Sequence, residues 1–391
     1  MSEKRISRKE LARQNRKKNK RRKNLRTLLI VAITAVLVYI TGIYGASLAY
    51  LGDFVSSGMT YLQLGKGFPV EDDFSTLMQG ENMGSGLAVL TQDSFMVYSP
   101  TGKNVFSYSH SMQSPAMDCC ENRAVIYERN RTSLKIANNH NILFYQEMNN
   151  NIIHADISDS NRVAVTTRSD SYNGEVTVYN YNMKERFVWY CARGFPVYSL
   201  LSDSGRTLAV CAVQTVNGLL QSDVYVIDAT KGEEKFTISG GAYPYNILFI
   251  KDEKMLVAYS DRLDIYDLRT GRLQNTYRFD SGSLLAVQNA DPYIALGFGG
   301  YTGGMASQVV LLSANCEEKL RIEIPEKVKD LSVSSSRLYI LGEDNIYEYD
   351  YTGTLLSSAY VGGLTHSLVT WSGTVLMDST SLSKLEKTKS R

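Results

Sequence analysis

A chain of 391 residues, 43% hydrophobic and 10% aromatic, has enough apolar material for a substantial core, which excludes global disorder. The net charge of +2 conceals a segregated distribution: residues 1–26 carry thirteen Lys/Arg against Glu3 and Glu10, a net of +11, leaving −9 elsewhere. Five cysteines (Cys119, Cys120, Cys191, Cys211 and Cys316), an odd number with no C-x-x-C spacing, exclude a disulfide framework.

The basic segment 1–26 precedes the uncharged apolar run 27–52, "TLLIVAITAVLVYITGIYGASLAYLG". At about 1.5 Å per residue a helix of this length reaches roughly 39 Å, beyond the ~30 Å of a bilayer core. The run is about twice the usual signal-peptide core, so an uncleaved anchor is favoured over cleavage near Ser47-Leu48-Ala49. Positive charge on the N-terminal side predicts a cytoplasmic tail, a single pass at the cell membrane and an extracytoplasmic C-terminal domain. The tail "RQNRKKNKRRKNLR" interleaves no aromatics, so anionic lipid headgroups rather than nucleic acid are its expected contact.

Residues 53–60 read as a short linker, 61–387 as an all-β domain and 388–391 as a C-terminal tail. The β-domain repeats. Each unit is a strand closed by a polar turn, as in "SFMVYSPTG" (94–102), "EVTVYNYN" (175–182), "RLDIYDLRTG" (262–271) and "NIYEYDYTG" (345–353). The first turn residues are Ser99, Asn138, Asn180, Asp228, Asp267, Ser313, Asp350 and Glu386. Successive turns are about 41 residues apart, each unit preceded by a second strand such as "GLAVLT" (86–91) or "TLAVCAV" (207–213). Two adjacent strands per unit, with room for one on either side, predict four-stranded blades and a WD40-like β-propeller of about eight blades, with seven as the fallback. Gly67-Phe68-Pro69-Val70 recurs as Gly194-Phe195-Pro196-Val197. That recurrence suggests that 59–67, with Tyr61–Leu64 at its centre, is an outer strand completing the C-terminal blade.

Catalytic chemistry is thinly represented. His110, His140, His154 and His366 form no metal-ligand spacing, and no P-loop, G-x-G-x-x-G or G-x-S-x-G occurs. No catalytic, cofactor-binding or metal residues are assigned. With strands lettered A to D outward, B–C and D–A connections emerge on one face. The B–C connections 168–175, 214–222 and 299–307 place Tyr172, Leu219, Leu220, Tyr301 and Met305 there, and a D–A connection adds Tyr243. Such a rim suits a partner-binding face.

The basic tail and apolar run, then Gly67–Val70, "LAVLTQDSFMVYSPTGKNVFSYSHS" and "RAVIYERNRTSLKI", resemble a domain-of-unknown-function family. Its members are membrane-anchored proteins of anaerobic, clostridial Gram-positive bacteria. The resemblance implies an envelope location and a propeller-like outer domain, and transfers no catalytic residues. The expected function is a tethered, non-catalytic binding or scaffold module for a protein or envelope polymer. The alternatives are an envelope enzyme of hydrolase or lactonase type at the propeller channel, and a sensor using the basic tail.

Overall fold

The computed structural model describes residues 44–385 except 281–282, 291–292, 300–306, 335, 363–364 and 372. The chain divides into two compact units between Asp53 and Phe54. The basic tail and most of the run 27–52 lie outside the described residues, among which no helix is long and apolar enough to cross a membrane. The helix α1 (Tyr44–Leu62) continues into the second unit.

Among the described residues that second unit carries eight four-stranded antiparallel sheets, each a blade, with the strands of seven of them in chain order from the inside out. Blade 1 is β2 (Leu77–Met83), β3 (Gly86–Thr91), β4 (Ser94–Tyr98) and β5 (Asn104–Ser109). Blade 2 is β6 (Pro115–Cys119), β7 (Ala124–Glu128), β8 (Ser133–Ala137) and β9 (Ile142–Glu147). Blade 3 is β10 (Ile152–Ile157), β11 (Val163–Thr167), β12 (Gly174–Tyr179) and β13 (Glu185–Cys191). Blade 4 is β14 (Phe195–Leu201), β15 (Thr207–Val216), β16 (Leu219–Asp228) and β17 (Glu233–Gly241). Blade 5 is β18 (Asn246–Ile250), β19 (Lys254–Ala258), β20 (Arg262–Asp267) and β21 (Leu273–Arg278). Blade 6 is β22 (Ser283–Ala290), β23 (Tyr293–Gly299), β24 (Ser307–Ser313) and β25 (Glu318–Ile324). Blade 7 is β26 (Asp330–Val333), β27 (Leu338–Leu341), β28 (Asn345–Tyr349) and β29 (Leu355–Tyr360). Blade 8 takes β30 (Thr365–Trp371), β31 (Gly373–Asp378) and β32 (Ser381–Lys384) from the C-terminal end and β1 (Val70–Glu71) as its outer strand.

The core lies between blades. The second strands β3 and β11 are buried along their whole length because both faces of a blade are covered by its neighbours. The outer strand β5 alternates between exposed and half-buried positions, as a strand with one wet face does. Ring closure is apolar as well as hydrogen-bonded. Val375, Met377 and Leu382 of blade 8 pack with Phe74 and with Leu87, Val89 and Tyr98 of blade 1. Val70 pairs with Leu382 and Glu71 with Ser381.

The repeating turns between third and fourth strands form as their residue types dictate. The Asn180 side chain accepts from the amides of Asn182 (2.9 Å) and Lys184 (3.0 Å), and Asp350 from those of Thr352 and Thr354 (both 2.9 Å). Gly353, at φ 87°, takes the left-handed position that closes the second of these turns.

Three expectations need correction. An N-terminal strand does close blade 8, but it is Val70–Glu71; residues 59–62, expected within that strand, finish α1. The sequence Met59-Thr60-Tyr61-Leu62 alternates like a strand. Thr60, however, is buried and donates to the Ser56 carbonyl one helical turn back, at 3.0 Å. The two Gly-Phe-Pro-Val copies also occupy different places, since Phe195 opens the inner strand β14 whereas Val70 opens the outer strand β1. Finally, 214–222 is not a loop. Strands β15 and β16 run out to Val216 and Leu219 and are joined by Asn217 and Gly218, both at positive φ (52° and 78°), the two-residue turn that suits strand twist.

Candidate functional site

The residues expected on the partner face fall on three successive connections of blades 3 to 5. Tyr172 lies in the B–C loop of blade 3 and stacks on Tyr190 of β13, with ring centroids 4.7 Å apart and 28° between planes. Leu219 and Leu220 sit at the start of β16, 68% and 59% exposed at the tip of the hairpin. Tyr243, also exposed, lies in the junction between blades 4 and 5. Tyr301 and Met305 lie outside the described residues. A side chain built on Gly174 would collide with Pro196, so the B–C loop of blade 3 packs tightly against the junction entering blade 4. Ser222 donates to the Ala242 carbonyl at 2.7 Å, holding the next junction to the hairpin. Sequence reading missed Tyr190, Phe195 and Tyr245, all exposed on the same stretch of rim. Tyr190 lies inside the outer strand β13 and not on a connection, so loop position gives no signal for it.

On the opposite face, the A–B and C–D turns receive the end of α1. Ser57 donates to Asn122 at 3.1 Å, and the His140 ring nitrogen lies 3.1 Å from both the Thr60 hydroxyl and the Ser56 carbonyl oxygen. Further along, Thr101 donates to the Gln63 carbonyl at 3.0 Å and accepts from the Gly65 amide at 2.7 Å.

The inner strands carry a polar ladder that periodicity alone did not reveal. Glu81 of β2 accepts from the backbone amide and thiol of Cys119 in blade 2. Asp118 of β6 accepts from the Ile157 amide of blade 3 at 2.7 Å, and Asp156 of β10 from the Leu201 amide of blade 4 at 2.6 Å. Each carboxylate thus fastens its own inner strand to the next. All three keep some contact with the channel yet are enclosed by protein on most sides. Burial, with the Asp118 charge second, pushes the Glu81 carboxyl up to about 8. Burial raises Asp118 to about 7 and, with the Asp118 charge adding, lifts Asp156 well above the ordinary carboxyl range. His154, two residues before Asp156, is lowered to about 4 by burial and then by the Arg129 charge. Its ring lies edge-on between those of Tyr127 and Tyr198, centroids 6.2 Å from each. Among the described residues no group of three or more His, Cys, Asp or Glu is arranged to hold a metal ion.

Solved structures share the architecture. BamB from Moraxella catarrhalis superimposes with a TM-score of 0.56 at 15% identity, covering 83% of this chain and 100% of that one. The C-terminal WD40 domain of Sif2 gives 0.61 at 12% identity over 82% and 99%. KlAtg21, in a complex with the coiled-coil of AgAtg16, gives 0.53 at 17% identity over 73% and 99%. Identities this low carry the fold alone: an eight-bladed β-propeller. A search of curated proteins finds no match. Residues 65–383 match the model of a family of unknown function, DUF5711, and on that span the chain belongs to this family.

Proposed function

We propose that the protein is a membrane-tethered, non-catalytic binding module that engages a protein partner through the rim of blades 3 to 5. The observation that carries this reading is the projecting hairpin, whose tip exposes Leu219 and Leu220 beside rim segments bearing Tyr172, Tyr190 and Tyr243. Large apolar side chains exposed together on rigid elements have the make-up of an interface core, where aromatic anchors dominate binding energy. A propeller of similar fold, KlAtg21, is solved with a coiled-coil bound, which supports a protein as partner. Tethering rests on the apolar run 27–52 and the basic tail. On this reading the partner rim lies on the extracytoplasmic side.

The test is affinity capture with the full chain in detergent, beside a variant carrying Tyr172→Ser, Leu219→Ser, Leu220→Ser and Tyr243→Ser. A specific partner lost by the variant, with its thermal melt unchanged, is the expected result. Recovery of the same proteins by both chains sinks the reading. The ladder of Glu81, Asp118 and Asp156 favours a channel enzyme as the second reading, but each carboxylate already accepts a hydrogen bond from the neighbouring blade. A channel hydrolase would be revealed by turnover of ester or lactone substrates that Asp118→Asn abolishes.

A further inference from the structure

Between blades 1 and 2, on the same face as the rim but away from its hairpin, lies a groove of about 490 Å³. At its base is Lys135, only 8% exposed. In the repeat frame Lys135 stands three residues before the turn. The equivalent residues of blades 1 and 3 to 7 are Met96, Thr177, Tyr225, Asp264, Val310 and Tyr347. The other charge in this series, Asp264, is buried against Arg262 at 2.9 Å and the Thr276 hydroxyl at 2.7 Å. Lys135 has no such partner: among the described residues it forms no ion pair, and its ammonium gives one hydrogen bond, to the Ser133 hydroxyl at 3.1 Å. Two of its three N–H donors are left over. Glu147 and Glu128 favour its charge without reaching ion-pair distance, so burial of this ammonium is only partly offset, which points to a use for it.

The groove's other walls define what that use is. The Lys135 ammonium lies 4.9 Å from the ring centre of Tyr145 and 5.8 Å from that of Tyr108. Tyr145 is 61% exposed and lines the groove. His110 forms part of the lining, with both ring nitrogens buried. Glu128 and Glu147 complete it; Glu128 takes the Gln113 amide at 2.9 Å, and Glu147 takes the Thr132 and Tyr145 hydroxyls. Two carboxylates disfavour an anionic ligand, and the ammonium disfavours a cationic one. A ligand with both donors and acceptors and an apolar face to set against an aromatic ring satisfies all of these groups together. Neutral sugars have that make-up: hydroxyls around the ring edge and C–H groups on its face.

We propose that this groove is a binding site for a neutral saccharide, with Tyr145 as the stacking platform and Lys135 as the buried hydrogen-bond donor. The site is independent of the blade 3 to 5 rim and stands or falls separately from it.

The experiment titrates the full chain in detergent, by calorimetry, with chitotriose, cellotriose and maltotriose, and with trigalacturonic acid as the acidic comparator. The expected result is binding of a neutral trisaccharide, weakened by at least ~tenfold, or about 1.4 kcal/mol, in both Tyr145→Ala and Lys135→Met. Lys135→Met installs the residue that blade 1 uses at this position, and the variant is expected to melt at or above the parent temperature, so its loss of binding cannot be unfolding. Failure of all three neutral sugars to bind, binding of the acidic trimer alone, or equal binding by parent and both variants overturns the proposal.

Discussion

Polar side chains that bond back to the main chain set much of this architecture. Asn180 caps the turn between β12 and β13 by accepting two amide hydrogens, and Met183 in that turn sits at φ 55°. Asn180→Ala leaves both amides to solvent, and a loss of ~1 kcal/mol in urea unfolding is expected. The channel carboxylates act in the opposite sense with pH. Glu81 and Asp118 hold protons in the folded state up to about 8 and about 7, whereas in the unfolded chain they release them near 4.5 and 3.8. The folded chain therefore binds more protons across that window, and stability falls as pH rises through it. His154, lowered to about 4 from 6.5, offsets part of this below pH 6.5 but not above. The melting temperature is therefore expected to drop between pH 6.5 and 8. Asp118→Asn, which keeps an acceptor for the Ile157 amide, should melt higher than the parent at pH 8 and show a shallower drop; identical profiles would contradict the assignment.

At the scale of elements, the joint between blade 8 and blade 1 concentrates the consequences. Its hydrogen-bonded strand β1 is two residues long, so apolar contact has to carry the rest. Phe74 is fully buried there, 6.2 Å from the Tyr98 ring in an edge-on arrangement, among side chains of both blades. Phe74→Ala is expected to cost about 3–5 kcal/mol by leaving a cavity at the closure, read from the shift of a denaturant midpoint. The strands and their turns were legible in sequence because Asp267, Asp350 and their equivalents can satisfy a tight turn locally, and because fully covered strands such as "GLAVLT" are apolar throughout. The end of α1 was not legible. Tyr61 and Leu62 fit either period, and what fixes Thr60 in a helix is His140, eighty residues away in the chain. The groove at Lys135 escaped for a related reason. A lysine in "SLKIA" reads as a solvent-facing residue until the neighbouring blade covers it.

For the whole molecule, eight interfaces of one kind make a ring with no free sheet edge except outward. Among the described residues, the carboxyls raised by burial on inner strands fall on three consecutive blades, so that sector of the ring has a chemistry of its own. Sequence periodicity could count the blades but could not rank them, because inward-facing residues are recognisable only once the register between blades is known. Glu81, Asp118 and Asp156 are about 38 residues apart, close to the blade period, yet their neighbours Gln79, Cys119 and His154 gave no shared motif.

The pairing of Val70 with Leu382 also governs how the protein comes into being. Strand β1 has to wait for its place, since its partner Leu382 is synthesised about three hundred residues later. At roughly 5–20 residues per second the N-terminal segment waits on the order of 15–60 s before the ring can shut. Until then blades 1 to 7 stand as an open arc with apolar faces uncovered at both ends. A newborn chain is therefore most vulnerable to association with its own copies in that interval, and a truncation that removes β32 would prolong it indefinitely.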